Sequence, residues 1–144
     1  MKSDFVLDAT LANDCHLLGE LNDVLLLLMD NALVPWFILV PKTSVVELSD
    51  LSEPERRALY EAINLVSLLL RQNWPVEKLN VAAIGNVVRQ LHVHVVGRRE
   101  DDFCWPGVVW GRQERQAYTA GQVAEIRAQL KSAWGTGFRV YNPA

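Results

Sequence analysis

The stretch RQLHVHVVGRRE, residues 89–100, places His92 and His94 two positions apart inside an alternating apolar run. Residues two apart in a β-strand share a face, so Gln90, His92 and His94 are predicted to form one polar row. The residues between them are apolar and are predicted to face the core. The polar row is therefore predicted to look out from the sheet.

Length and composition limit the classes of protein to which such a strand can belong. The chain has 144 residues, of which half are hydrophobic and 22% are charged, as is typical of a folded globular protein. We expect one domain spanning residues 1–144. The formal net charge of −3 argues against a nucleic-acid polymer as partner, because such proteins carry an excess of Lys and Arg. Any phosphate chemistry must then occur in a local pocket.

The sequence gives no sign of a membrane or of a secretory route. The first residues contain three acids and no long apolar core, unlike a signal peptide. The apolar runs VLLLLM and VPWFILV are far shorter than a bilayer span. Cys15 and Cys104 lack the spacing of a disulfide framework or a zinc knuckle. We therefore expect a cytoplasmic protein with no membrane partner.

Capping and turn signals predict the elements around the histidine strand. Asp8 is a candidate N-cap for a short helix over about residues 9–19. Two apolar runs around the polar tip MDNAL predict a β-hairpin, with Pro35 and Pro41 at strand ends. Ser52 begins an S-x-x-E capping box that opens a long helix.

The remaining elements complete an α+β prediction. The run KLNVAAIGN, residues 78–86, predicts a strand that ends in a Gly-Asn turn just before the histidine strand. A T-x-x-Q start predicts a terminal helix over residues 119–134. The predicted fold is a mainly antiparallel sheet with a long helix and shorter flanking helices packed against one face.

The two histidines alone allow three interpretations. The polar row could be an ordinary solvated strand face. It could be half of a metal site, although His16, Cys15 and Cys104 offer no supporting ligand spacing. It could also support nucleophilic catalysis at phosphorus.

Neighbouring polar residues support the third interpretation, nucleophilic catalysis at phosphorus. Gly85 and Asn86 offer a turn where the backbone and an amide can approach an anion. Asp30 and Asn31 at the hairpin tip could bind sugar hydroxyls.

The segment NVVRQLHVHVVGR resembles the signature of the histidine triad (HIT) family, H-φ-H-φ-H-φ-φ with φ apolar. The resemblance covers most of residues 20–110, including the LVPK hairpin exit, the capped long helix and the WP segment at Trp105. It is to a bacterial-type branch in which Gln90 stands in place of the first histidine. The resemblance implies a HIT-like fold.

The resemblance also implies a chemistry and a set of site residues. His92 falls at the nucleophile, which attacks the α-phosphate of a nucleotide derivative to form a covalent nucleotidyl-histidine. His94 falls at a phosphate contact. At Gln90 the backbone carbonyl is retained and can hold Nδ1–H of His92. His16 lies on a predicted helix flank and is expected to be a bystander.

The family's other contacts fall on residues outside the triad strand. The phosphate-binding amide before the triad falls at Asn86, beside Gly85, and a second Asn falls near Asn80. The ribose-binding acid falls at Asp30 or Asn31. For each of these, a turn residue that satisfies its own backbone is the alternative interpretation.

The leading functional hypothesis is a nucleotide hydrolase or transferase acting on nucleoside phosphoramidates or dinucleoside polyphosphates. The covalent route needs no protein-bound metal or cofactor, and the resemblance implies a homodimer. One alternative is a nucleotide-binding homodimer whose catalysis weakened when the first histidine became Gln90. Another is a metal-binding protein using His92 and His94.

Overall fold

The computed structural model describes residues 4–142. Its helices and strands, in chain order, are α1 (Ala9–Asp14), β1 (Cys15–Leu21), β2 (Val24–Met29), β3 (Trp36–Pro41), α2 (Glu53–Asn73), β4 (Lys78–Ala82), β5 (Val93–Arg98), α3 (Ala120–Trp134) and β6 (Arg139–Val140). Within this part of the chain, no helix is both long and apolar enough to cross a membrane.

The strands form one six-stranded sheet in the order β4-β5-β3-β2-β1-β6. Every neighbouring pair is antiparallel. The predicted α+β architecture is therefore confirmed, and so is the hairpin of β2 and β3, with Pro35 just before β3 and Pro41 at its end. Strand β5, which carries His94, is central, between β3 and the edge strand β4.

The long helix begins where the capping box predicts. The Ser52 hydroxyl accepts from the Glu55 backbone N–H, and the Glu55 carboxylate accepts from the Ser52 backbone N–H. Thr119 and Gln122 form the same reciprocal pair at the start of α3. Both helix starts are readable from sequence because the capping partners are only three residues apart.

Two apolar clusters lie on opposite faces of the sheet. The first cluster joins α2 and α3 to one face, with Val66, Leu70 and Leu130 fully buried. The second cluster lies on the other face and includes Leu11 of α1, Trp36 and Ile38 of β3, Val96 of β5, and Val88, Cys104 and Val109 from loops. The helices are thus not all on one face, since α1 packs opposite to α2 and α3.

The prediction of a helix over residues 9–19 is wrong beyond Asp14. Asp8 caps α1 as predicted, its side chain accepting from the Thr10 backbone N–H, but Cys15–Leu21 is a strand paired with β2. A side chain at Gly19 would collide with the Arg139 carbonyl and with Phe138, so this position is shaped by close approach of β6. Pairing on both sides of β1 overrides the helical leucine spacing.

Candidate active site

His92 lies just before β5, and its ring is oriented by the backbone of Gln90. Nδ1 of His92 is 2.7 Å from the Gln90 carbonyl oxygen. A carbonyl oxygen can only accept, so Nδ1 carries the hydrogen and Nε2 of the neutral ring keeps its lone pair. This contact is the one expected from the sequence, and it gives the tautomer that a nucleophilic imidazole needs.

His94 is oriented the opposite way by a different donor. The indole Nε1–H of Trp36 donates to Nδ1 of His94 over 3.0 Å. An indole nitrogen only donates, so neutral His94 carries its hydrogen on Nε2. Burial, and secondarily the charge of His92, lower the pKa of His94 from 6.5 to about 4. At neutral pH, His94 is therefore an uncharged donor.

The two imidazoles form a buried pair. Their ring centroids are 4.9 Å apart, with planes inclined at 67°. Trp110 packs edge-on against His94, with centroids 5.3 Å apart, and against Trp36, with centroids 6.2 Å apart. Opposite tautomers thus lie side by side: His92 offers a lone pair at Nε2, and His94 offers an N–H.

The histidine row is buried, so the prediction that it faces outward to solvent is wrong. His92 and His94 are each only 5% exposed. The strand parity is as expected, because Val93 and Val95 belong to the first cluster on the opposite face. The histidine face is nevertheless covered, because the second cluster and Trp110 pack over it. The strand pattern alone cannot reveal which distant segment covers a face.

A cavity of about 630 Å³ opens beside His92. It is lined by residues 46–49, 83–86 and 89–92. Gly85, Asn86, Gln90 and His92 are therefore brought together as the sequence predicts. A Cβ at Gly85 would lie 3.2 Å from the Val88 carbonyl oxygen, so the turn is tight there. The volume falls in the range of small-molecule sites.

Arg89 lines the cavity, although the sequence did not single it out as a site residue. It lines the cavity together with Asn86 and His92, and Glu47 is the one acid among the lining residues. The sequence signal was its position one residue before Gln90. Arg98, near the end of β5, does not line this cavity; it is 1% exposed and its guanidinium is bound by Asp102.

The Gln90 side chain faces the N-terminal segment. Its Oε1 accepts from the Asp8 backbone N–H over 2.8 Å, and its Nε2 donates to the Val6 carbonyl over 2.9 Å. The main chain of Gln90 thus holds His92, while its side chain holds residues more than 80 positions earlier in the chain.

The structure places Asp30 and Asn31 away from the lining of this cavity. Asp30 Oδ1 accepts from the Tyr118 backbone N–H at 2.9 Å and lies 3.0 Å from His16 Nε2. Burial raises the pKa of Asp30, but these hydrogen bonds and nearby positive charge outweigh it and hold that pKa below its usual value. Asn31 donates to the Glu114 carbonyl. Both side chains fasten the segment that follows Trp110.

Asn80 also lies outside the cavity lining. Its Oδ1 accepts from Arg98 at 2.9 Å. The Arg98 guanidinium also donates to both oxygens of Asp102 and to the Gly107 carbonyl, and it lies 5.5 Å from the centre of the Trp105 ring. This network fastens the turn after β5.

No group of three His, Cys, Asp or Glu side chains among residues 4–142 is arranged to hold a metal ion. The metal-binding hypothesis therefore lacks a third ligand within this range. Both cysteines are buried and unpaired, and burial raises the pKa of Cys15 to about 12, which disfavours the thiolate that a metal would need.

A model of the HIT domain family matches residues 10–101, and the chain belongs to this family. Three histidine triad proteins of known structure are similar to it. The one from Marinobacter aquaeolei is 40% identical, with a TM-score of 0.83, 90% of this chain covered and 95% of that chain. The one from Bradyrhizobium japonicum is 36% identical, with a TM-score of 0.85 and coverage of 90% and 97%.

The third, from Sinorhizobium meliloti, is 35% identical, with a TM-score of 0.88 and coverage of 92% of this chain and 99% of that chain. No curated protein matches this chain. Proteins of the HIT family are generally nucleotide hydrolases or transferases, so membership supports a nucleotide-binding, hydrolase-type function.

Proposed function

We propose that this protein is a nucleotide hydrolase or transferase in which His92 attacks the α-phosphate of a nucleoside phosphoramidate or a dinucleoside polyphosphate. The observation that carries the proposal is the 2.7 Å contact between Nδ1 of His92 and the Gln90 carbonyl. It leaves an unprotonated Nε2 on a side chain that lines a cavity of substrate size.

The reaction proceeds in two displacements. The Nε2 lone pair forms a bond to phosphorus while the bond to the leaving group breaks, and the leaving group keeps the electron pair and takes a proton from solvent. His92 is then a cationic nucleotidyl-imidazolium, still bonded through Nδ1–H to Gln90. Water attacks phosphorus, the P–N bond returns its electrons to Nε2, and one proton goes to solvent. A nucleoside monophosphate leaves.

Four residues support this chemistry by binding the phosphate: His94, Asn86, Arg89 and Gly85. His94 is not among the residues that line the cavity, but its ring centroid lies 4.9 Å from that of His92. We propose that its Nε2–H donates to a non-bridging oxygen of a phosphate bound at His92, where charge develops in the transition state. Arg89 brings positive charge, and Asn86 an amide donor, to the same cavity. The Gly85 turn leaves room for close approach of an anion.

The proposal does not use Asp30, Asn31 or Asn80. Their side chains hold other parts of the chain, and their predicted contacts with ribose or phosphate stay predictions. A nucleotide-binding protein with weakened catalysis is the second candidate. The observation in its favour is that both polar groups of the Gln90 side chain are hydrogen-bonded to the N-terminal segment, although Gln90 also lines the cavity.

A substrate panel and one substitution test the proposal. Wild-type protein is mixed with adenosine and guanosine phosphoramidates and dinucleoside polyphosphates, and intact mass is measured for an added nucleotidyl group. His92→Asn should lower turnover by at least about a thousandfold, because the nucleophile is lost. His16→Asn is the matched control, since His16 does not line the cavity.

The outcomes separate the candidates. A wild-type protein that binds nucleotide but neither forms the adduct nor turns over any substrate would favour the weakened binder. Turnover that survives in His92→Asn, at a rate close to that of His16→Asn, would end the assignment of His92 as nucleophile.

We also propose a homodimer. Strand β4 is an edge of the sheet, and Val81 on it is 48% exposed. Tyr60 and Leu68 of α2 are also exposed large side chains. Open strand edges and exposed large apolar side chains are features that proteins commonly cover by pairing.

A further inference from the structure

The indole of Trp110 carries a buried hydrogen-bond donor that has no acceptor among residues 4–142. Nε1 of Trp110 is buried, and no described group lies in position to accept its hydrogen. An indole nitrogen can only donate. Burying such a donor without an acceptor costs free energy, and folded proteins rarely leave that cost uncompensated. The N–H of Trp110 therefore points to an acceptor that the described part of the chain does not supply.

Trp36, a neighbour of Trp110, carries the same kind of donor and satisfies it. The two indole rings pack edge-on, with centroids 6.2 Å apart and planes at 78°. Nε1–H of Trp36 donates to Nδ1 of His94, and Trp110 packs against that same imidazole, with centroids 5.3 Å apart. Because Nδ1 is occupied and Nε2 carries the hydrogen, neutral His94 has no lone pair left for Trp110. Together, His94 and Trp110 present two N–H groups and no acceptor.

The chain on both sides of Trp110 is fixed in place. Val109, just before it, is 2% exposed and belongs to the second cluster. After it, the side-chain amide of Asn31 donates to the Glu114 carbonyl and accepts from the Gln116 N–H, each over 3.2 Å. Asn31 is itself only 6% exposed. The flanking chain thus holds the indole against His94, and the fold keeps its N–H away from solvent.

We propose that Trp110 is a substrate-binding residue whose Nε1–H donates to a non-bridging oxygen of the phosphate held at His92. The inference rests on the proposed function of His92. The three rings are consecutive neighbours, because the centroid of His94 lies 4.9 Å from that of His92 and 5.3 Å from that of Trp110. Like His94, Trp110 does not line the cavity. A phosphate that accepts from His94 has Trp110 as the next donor.

The chemistry of the two donors selects the group of the ligand that binds them. A phosphate oxygen has several lone pairs and a negative charge, so it can accept from both N–H groups and forms stronger hydrogen bonds than a neutral acceptor. A cation would be repelled by both N–H dipoles, and a sugar hydroxyl or the edge of a nucleobase would bring donors of its own. Trp110 should therefore add affinity for the phosphate and none for the nucleoside.

The N–H of Trp110 can be observed directly in the wild-type protein. The chain has five tryptophans, so a proton–nitrogen correlation spectrum contains five indole signals, and the one missing from Trp110→Phe belongs to Trp110. Addition of adenosine monophosphate should move that signal downfield, because the N–H gains a hydrogen bond to a charged oxygen. Addition of adenosine should not move it. The ring nitrogen signals of His92 report in the same titration whether the nucleotide occupies the site.

Two phenylalanine substitutions measure the contribution of the contact. Trp110→Phe keeps an aromatic ring beside His94 and removes the N–H. Trp134→Phe is the matched control, because Trp134 is also partly buried and packs edge-on against Phe138 in the first cluster, with centroids 5.5 Å apart. Trp110→Phe should weaken binding of adenosine monophosphate about tenfold, as for one hydrogen bond to a charged group, and should change adenosine binding by less than about twofold. Trp134→Phe should change neither affinity by more than about twofold.

The other outcomes overturn the inference. Suppose the His92 signals respond to adenosine monophosphate while the Trp110 signal stays in place, or Trp110→Phe binds this nucleotide as tightly as Trp134→Phe. The N–H then does not reach the phosphate, and the proposed function of His92 stands. If Trp110→Phe weakens binding of adenosine as much as that of adenosine monophosphate, Trp110 contacts the nucleoside instead. If the His92 signals respond at no concentration of the nucleotide, the proposed function and the inference fail together.

Discussion

Replacement of Trp36 by Phe tests how the structure prepares His94. Trp36→Phe keeps an aromatic ring in the second cluster but removes the N–H that donates to Nδ1 of His94 over 3.0 Å. With that donor gone, either nitrogen of neutral His94 can carry the hydrogen. The fraction of molecules that present an N–H at Nε2 should fall, and the phosphate should lose that contact in those molecules.

The expected change in the nucleotidylation rate comes from the tautomer of His94, because the charge of His94 does not change. Its pKa of about 4, against 6.5 for an ordinary histidine, corresponds to roughly 3 kcal/mol against protonation. Burial is the main cause, and burial survives in Trp36→Phe, so His94 should stay neutral at pH 7. What changes is one neutral hydrogen bond, about 1 kcal/mol. That predicts about a fivefold slower nucleotidylation of His92.

Two measurements check this prediction. Single-turnover formation of the nucleotidylated protein, followed by rapid quench and intact mass, gives the rate. Nitrogen NMR of the ring gives the tautomer, and the chain has only three histidines to assign. Trp74→Phe is the matched control, because Trp74 packs against Phe37, 5.9 Å between ring centroids, in the first cluster on the opposite face.

Either of two results would refute the reasoning. The first is a wild-type spectrum in which neutral His94 carries its hydrogen on Nδ1. The second is a nucleotidylation rate for Trp36→Phe equal to that of Trp74→Phe, together with a changed His94 tautomer. The second result would mean that His94 does not act through its Nε2–H.

Three further predictions concern stability and assembly. The pKa of His94 is 6.5 in the unfolded chain and about 4 in the folded protein. The contribution of neutral His94 to the free energy of unfolding is therefore complete above pH 6.5 and is lost as pH falls towards 4. The free energy of urea unfolding should depend less on pH in His94→Asn across this range, and the same pH dependence in both proteins would contradict the prediction. Asp102→Ala leaves the buried Arg98 charge unpaired and should cost about 3–5 kcal/mol of unfolding free energy; a loss below about 1 kcal/mol would be incompatible with that pairing. Light scattering should give a dimer mass, and a monomer over a wide concentration range would refute the homodimer.

The parts of the fold that the sequence predicted are those with local causes. The Ser52 capping box needs a partner three residues away, and the hairpin between β2 and β3 needs two apolar runs joined by a polar tip. The contact between His92 and the Gln90 carbonyl spans two residues of one strand. Each of these could be inferred because the interacting groups are close in sequence.

The parts that the sequence did not predict depend on distant partners. Leucine spacing favoured a helix through residue 19, but β1 lies between β2 and β6, and pairing with both decides its conformation. Likewise, Asp30 and Asn31 are bonded to residues 114–118. Nothing in a turn of the form Asp-Asn indicates whether its side chains will meet a ligand or a distant loop.

At the first triad position, Gln90, the backbone and the side chain make separate contacts. In the proposed mechanism, this position acts through the carbonyl of Gln90, which any residue carries, so the orientation of His92 does not require a histidine there. The side chain is then free to be chosen by a second demand, which in this chain is the backbone around Leu7. On this argument, Gln90 in place of histidine keeps the contact that orients His92 and changes only what holds the N-terminal segment. Gln90→His should then alter how that segment is held and leave the proposed attack of His92 on phosphorus nearly unchanged.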